Sequence, residues 1–114
     1  MQNLFLDLTG DNSPCHVDEK FALEKNFKGK VVYGMLTASF YSTLVGVYLP
    51  GKYALFQEAH INFRSPVYIG DALIIKGKIT EIDPTLKRIY IKAEIQNQSG
   101  RKVSTASLVA GLTE

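Results

Sequence analysis

Val31–Pro50 reads VVYGMLTASFYSTLVGVYLP and lies without a charged residue between Lys30 and Lys52. Its length approaches that of a bilayer span. The hydroxyls of Tyr33, Thr37, Ser39, Tyr41, Ser42, Thr43 and Tyr48, together with Gly34 and Gly46, argue against such a span. From Gly34 to about Tyr48 the pattern is helical, with Met35, Ala38, Phe40, Leu44, Val45 and Val47 spread around the axis. A helix with no polar face belongs inside a fold, so the segment predicts a central helix buried on all sides. Pro50-Gly51 ends it.

The chain beyond Gly51 reads as β. From Tyr53 to Arg64 the residues alternate, with Tyr53, Leu55, Gln57, Ala59, Ile61 and Phe63 on one side and Glu58, His60, Asn62 and Arg64 on the other. Ser65-Pro66 breaks the run, and Gly70-Asp71 signals a turn before a strand over Ala72–Ile82. Asp83-Pro84-Thr85 turns the chain again. In Arg88–Gln96, Ile89, Ile91, Ala93 and Ile95 point inward, and Lys102–Leu112 is the last strand. Consecutive strands with short turns predict an antiparallel meander. One uncharged helix followed by such a sheet predicts an α+β domain in which the sheet wraps the helix.

Upstream, Asn3–Leu8 reads as the end of a helix, Thr9–Pro14 as a loop, and Asp18 as the cap of a short helix reaching Lys25. The 114 residues and 46% hydrophobic composition fit one domain, 1–114. A net charge of +2 leaves no strongly basic face, so no nucleic acid partner is expected. No membrane partner is expected either. Met1–Thr9 lacks a basic segment leading into an apolar core, so no signal peptide is expected. The single cysteine, Cys15, excludes an internal disulfide and suits a reducing, cytoplasmic setting.

Chemistry can sit in two places. Asp11 and His16 share a loop stiffened by Pro14, and a carboxylate with an imidazole can hold and deprotonate one water at neutral pH. On these residues alone the ordinary reading is favoured, Asp11 as a turn cap and His16 as a surface or capping residue. Gly34 opens the central helix, where an unpaired N–H and the positive helix end suit a developing oxyanion. The alternative is that glycine merely permits close packing at the helix entry. Cys15 sits in what reads as extended chain, pointing away from His16, and serves as a small apolar plug. His60 is a sheet residue, and no histidine–carboxylate spacing supports a metal.

Taken together, Thr9-Gly10-Asp11-Asn12-Ser13-Pro14-Cys15-His16-Val17-Asp18 resembles the hydratase motif of MaoC-like (R)-specific enoyl-CoA hydratases, Gly-Asp-x-Asn-Pro-x-His-x-Asp. The resemblance continues through Val31–Ser39, Leu49-Pro50-Gly51, Phe63–Asp71 and the final strands. It implies a hot-dog fold and hydration of trans-2-enoyl-CoA to (R)-3-hydroxyacyl-CoA. It implies no metal and no cofactor beyond the thioester, carried on CoA or on acyl-carrier protein. Carried over, Asp11 and His16 activate the water, Gly34 N–H holds the thioester oxygen, and Ser42 matches a position near the site. A homodimer or higher homo-oligomer is implied.

The sequence departs from that pattern in three ways. Ser13 replaces the family's asparagine, Tyr33 replaces the usual histidine before the glycine, and both are expected to shape the substrate pocket. The N-terminal strand and part of a helix that precede the position of Leu4 in the family are missing, which predicts an uncovered sheet edge. Two other functions fit the same fold. A hot-dog thioesterase often carries a carboxylate on or beside the central helix, which Val31–Pro50 lacks. A non-catalytic partner subunit of a hydratase is the other.

Overall fold

A computed structural model describes residues 1–113; Glu114, the last residue of the expected domain, lies outside them. Four helical elements come first: α1 (Gln2–Thr9), α2 (Pro14–Val17), α3 (Glu19–Glu24) and α4 (Gly34–Thr43). A π-helical turn, Leu44–Tyr48, extends α4. The strands are β1 (Ala54–Phe63), β2 (Ile74–Asp83), β3 (Arg88–Gln96) and β4 (Lys102–Leu112). They form one antiparallel sheet in the order β1-β4-β3-β2. The meander β2-β3-β4 is the one its short turns predict.

The sheet curls against the central helix through a core built from alternation. Ile89, Ile91, Ala93 and Ile95 of β3 face the helix, paired across β4 with Ala110, Leu108, Ala106 and Ser104. Ala38, Tyr41 and Val45 of the helix pack onto them. The small Ala93–Ala106 pair gives the helix room. Gly77 of β2 does the same at the π-helical turn, since a Cβ there would lie 2.8 Å from a Leu44 methyl. Tyr41 Oη donates to Ser104 Oγ at 2.9 Å, and Ser104 Oγ donates to the Asn62 carbonyl at 3.0 Å, so helix, β4 and β1 share one satisfied buried polar chain.

The structure corrects three sequence-based expectations. The helix is not buried on all sides. Thr37, Ala38, Tyr41 and Val45 are buried, whereas Met35, Ser39, Ser42 and Gly46 form an exposed stripe. A single sheet covers one side of a helix and leaves the other open. The β1 alternation changes phase, because a bulge between Phe56 and Glu58 puts Ala54 and Phe56 against the core together with Ile61, and leaves Tyr53 and Leu55 exposed. Cys15 lies in a helical turn rather than in extended chain.

Candidate active site

The segment from Thr9 to Asp18 is a chain of caps. Gly10 closes α1 in the left-handed conformation, φ 71°. Asp11 Oδ1 accepts from Ser13 N–H at 3.0 Å and from Ser13 Oγ at 2.5 Å. Pro14 starts α2 with its preset φ, and Asp18 accepts from Phe21 N–H to cap α3. The turn-cap role of Asp11 is therefore real. It also has an electrostatic consequence. The Ser13 hydroxyl, then the Ser13 N–H, hold the Asp11 carboxyl below its ordinary 3.8; partial burial opposes them and His16 adds a smaller lowering. Asp11 is a carboxylate throughout the neutral range, able to accept hydrogen bonds from water and unable to donate one.

His16 ends α2. Its Nδ1 lies 2.7 Å from the Val31 carbonyl oxygen. A carbonyl can only accept, so Nδ1 carries the proton and neutral His16 presents Nε2 as a base. The Val31 oxygen is held from a second direction by Gln2 Nε2 at 3.0 Å. Gln2 Nε2 also donates to the His16 carbonyl at 3.2 Å, and Gln2 Oε1 accepts from Tyr33 N–H at 3.3 Å.

Tyr33 is 1% exposed. Its ring stacks on His16, centroids 4.3 Å apart, and lies 4.8 Å from Phe5 on α1. Its hydroxyl donates to the Asp11 carbonyl at 2.5 Å. Burial, the Asp11 charge and Cys15 all push the phenol pKa up, so it stays a donor.

Gly34 is the first residue of α4, and the N–H of a first helical residue has no partner within the helix. A Cβ here would stand 3.2 Å from the Phe63 ring, so the packing reading of this glycine has support as well.

Two cavities meet at His16. One, of about 600 Å³, is walled by His16, Tyr33, Leu36, Phe40 and Leu73, with Lys30 on its rim. That volume is in the range of small-molecule sites. The other, about 270 Å³, runs past Gly34, Phe63 and Arg64. Thr37 lines both; its buried hydroxyl has no hydrogen-bond partner among the described residues. The structure thus sets His16, Tyr33 and Gly34 on the cavity walls, whereas Asp11 and Ser13 line neither cavity; Asp11 is tied to this region through its carbonyl, held by the Tyr33 hydroxyl, and the expectation that Ser13 shapes the substrate pocket is corrected. Ser42 is exposed on α4 and lines neither cavity. His60 is exposed on β1 opposite Ser107. Sequence reasoning missed Gln2, Val31, Lys30 and Thr37. Gln2 carries no local signal, since its partners lie 14 to 31 residues away.

An antiparallel sheet curled round one helix is the hot-dog arrangement, and the His16 imidazole on α2, with Nε2 free to act as a base, lines both cavities beside the helix start. The chain belongs to the MaoC-like domain family, whose pattern matches residues 1–103. It is 37% identical over 84 residues to a 3-hydroxybutyryl-CoA dehydratase of Methylorubrum extorquens, covering 74% of this chain and 54% of that protein. The chain therefore spans about half the length of that relative. It is 32% identical over 108 residues to an (R)-specific enoyl-CoA hydratase of Aeromonas caviae, covering 95% of this chain and 81% of that one. It superposes on the structure of an (R)-hydratase from A. caviae, involved in PHA biosynthesis, with TM-score 0.90, 31% identity, and coverage of 96% and 83%.

Proposed function

We propose that this chain adds water reversibly to a trans-2-enoyl thioester to give the (R)-3-hydroxyacyl thioester. The observation that carries the reading is the 2.7 Å contact of His16 Nδ1 with the Val31 oxygen. It leaves Nε2 free as a base on a residue that lines both cavities, with the ionised Asp11 carboxylate on the loop just before α2. The relatives in M. extorquens and A. caviae support the same chemistry.

In this reading Asp11 accepts one hydrogen bond from the water and His16 Nε2 takes a proton from it. The oxygen bonds to C3 while the C2–C3 π pair moves toward the thioester carbonyl. Gly34 N–H, at the positive end of α4, holds the resulting enolate oxygen. The proton then reaches C2 from the same side, so water and enoyl thioester balance the product with no redox partner and no cofactor. Dehydration is the same path reversed. Val17, Leu36, Phe40 and Leu73 give the larger cavity an apolar wall suited to an acyl chain. The carrier is CoA or an acyl-carrier protein.

The exposed side chains of Met35, Val47 and Tyr48 along the helix, with Phe63 beside Gly34, offer apolar surface suited to a second copy, so a homodimer belongs to the proposal. Ser42, on the exposed stripe of α4, would then line the site from the interface. No helix among the described residues is long and apolar enough to cross a membrane. The partly buried free thiol of Cys15 supports a reducing, cytoplasmic compartment. The thioesterase reading is less favoured, since such enzymes often carry a carboxylate on or beside the central helix and α4 carries none.

The test is hydration of crotonyl-CoA by the purified chain, followed as loss of enoyl-thioester absorbance. Turnover to the (R) product is expected, with Asp11→Asn and His16→Ala each reduced at least about 100-fold, the scale of a lost general base. A flat trace from folded protein, or full activity in both variants, overturns the reading.

A further inference from the structure

We infer that Tyr33 and Gln2 form a two-armed brace that holds His16 and Asp11 in register with the start of α4, making both of them positioning residues for the reaction. This rests on the hydratase reading for its catalytic meaning and on geometry alone for its existence.

Tyr33 immediately precedes Gly34, so whatever it grips is tied to the helix start. It grips both members of the pair. Its hydroxyl holds the Asp11 carbonyl from 22 residues away, and its ring lies 4.3 Å from the His16 ring with an interplanar angle of 29°. Phe5 packs against the same ring at 4.8 Å, so it is flanked by aromatic rings from α1 and α2. A ring 1% exposed and held at its tip has little freedom to turn.

Gln2 closes the other side. The His16 and Val31 carbonyls both need donors, and only the NH₂ end of the amide can serve them. That fixes which way the amide points, and its oxygen then takes the Tyr33 N–H. The Val31 oxygen so held is the one that fixes the His16 tautomer. Three segments (α1, the loop with α2, and 31–34) are joined into a ring of hydrogen bonds in which the base has one orientation. Misplacing a catalytic group by about 1 Å costs up to about 100-fold in rate, so such a brace acts on turnover more than on binding.

The experiment compares wild type, Tyr33→Phe and Gln2→Met in two readouts. Tyr33→Phe keeps the stacking and removes only the grip on Asp11; Gln2→Met keeps the volume and removes all three amide bonds. The first readout is crotonyl-CoA kinetics. A fall of about 10-fold or more in kcat with KM within about 2-fold is expected for both variants, the signature of a contact that matters in the transition state. The second is nitrogen NMR of the His16 ring in the free protein. The wild type is expected to show the Nδ1–H tautomer and Gln2→Met a mixture of the two. Unchanged kcat in folded Tyr33→Phe, or a rise in KM alone, overturns the positioning role. An unchanged tautomer in Gln2→Met overturns that arm. If Gln2→Met does not fold, Tyr33→Phe decides. If the wild type does not hydrate crotonyl-CoA, the hydratase reading fails by itself, while the tautomer comparison still decides whether the brace exists.

Discussion

Ser13 shows how one side chain sets the state of another. Its N–H and hydroxyl both reach Asp11 Oδ1, and both lower the carboxyl pKa. Because the folded value is the lower one, these bonds contribute stability that is fully present above the unfolded value of about 3.9 and is lost as pH falls through the folded value. Ser13→Ala is expected to move the Asp11 midpoint upward in an NMR titration, and wild type and variant converge in stability at the acid end. Thr37 makes the opposite case. Its hydroxyl is buried and unpartnered among the described residues, so Thr37→Val, similar in shape and free of a donor, is expected to stabilise the fold by about 1 kcal/mol in urea denaturation. Asp11, His16 and Gly34 stood out in the sequence as candidates only through the motif they share with the family, since each alone has an ordinary structural reading. Their ranking against turn cap and packing glycine was not legible, and the contacts of Asp11 with Ser13 show the turn-cap role.

At the scale of the element, periodicity carried most of the reading. β3 alternates over its whole length, and its inward set is the one its spacing predicts. β1 does not, because the bulge at Gln57 adds a residue that no composition rule marks. The central helix was legible from Gly34 onward, but its last turn widens to the π form, with Leu49 N–H donating to the Leu44 carbonyl at 2.7 Å. α2 was hidden inside a breaker cluster, being too short for any period. Helix and sheet are joined by Tyr41 and Ser104. Tyr41→Phe is expected to cost about 1 kcal/mol, read as a lower midpoint in thermal or chemical unfolding, because it leaves a buried Ser104 lone pair without its donor.

The whole molecule covers its central helix on one side only. Met35 is 63% exposed and Val47 62%, values out of place in a finished core. Dimerisation through this surface is expected to appear in sedimentation. Val47→Lys, which sets a charge in this exposed apolar surface, is expected to give a folded monomer with reduced hydratase turnover; a stable dimer in that variant would place the interface elsewhere.

The sequence by itself determined the order of the central helix and the strands, the inward face of β3, the uncharged helix and the segment carrying Asp11 and His16. Each is a local property: a period, a cap, a breaker, or a residue type beside its neighbours. Only the tertiary structure decided which face of the helix is open, where β1 changes phase, and how His16 is held. These depend on contacts between residues far apart in the chain, such as Gln2 with Val31 and Tyr33 with Asp11. No local pattern records such a contact, because it forms only when the sheet has curled and α1 has docked beside the helix start.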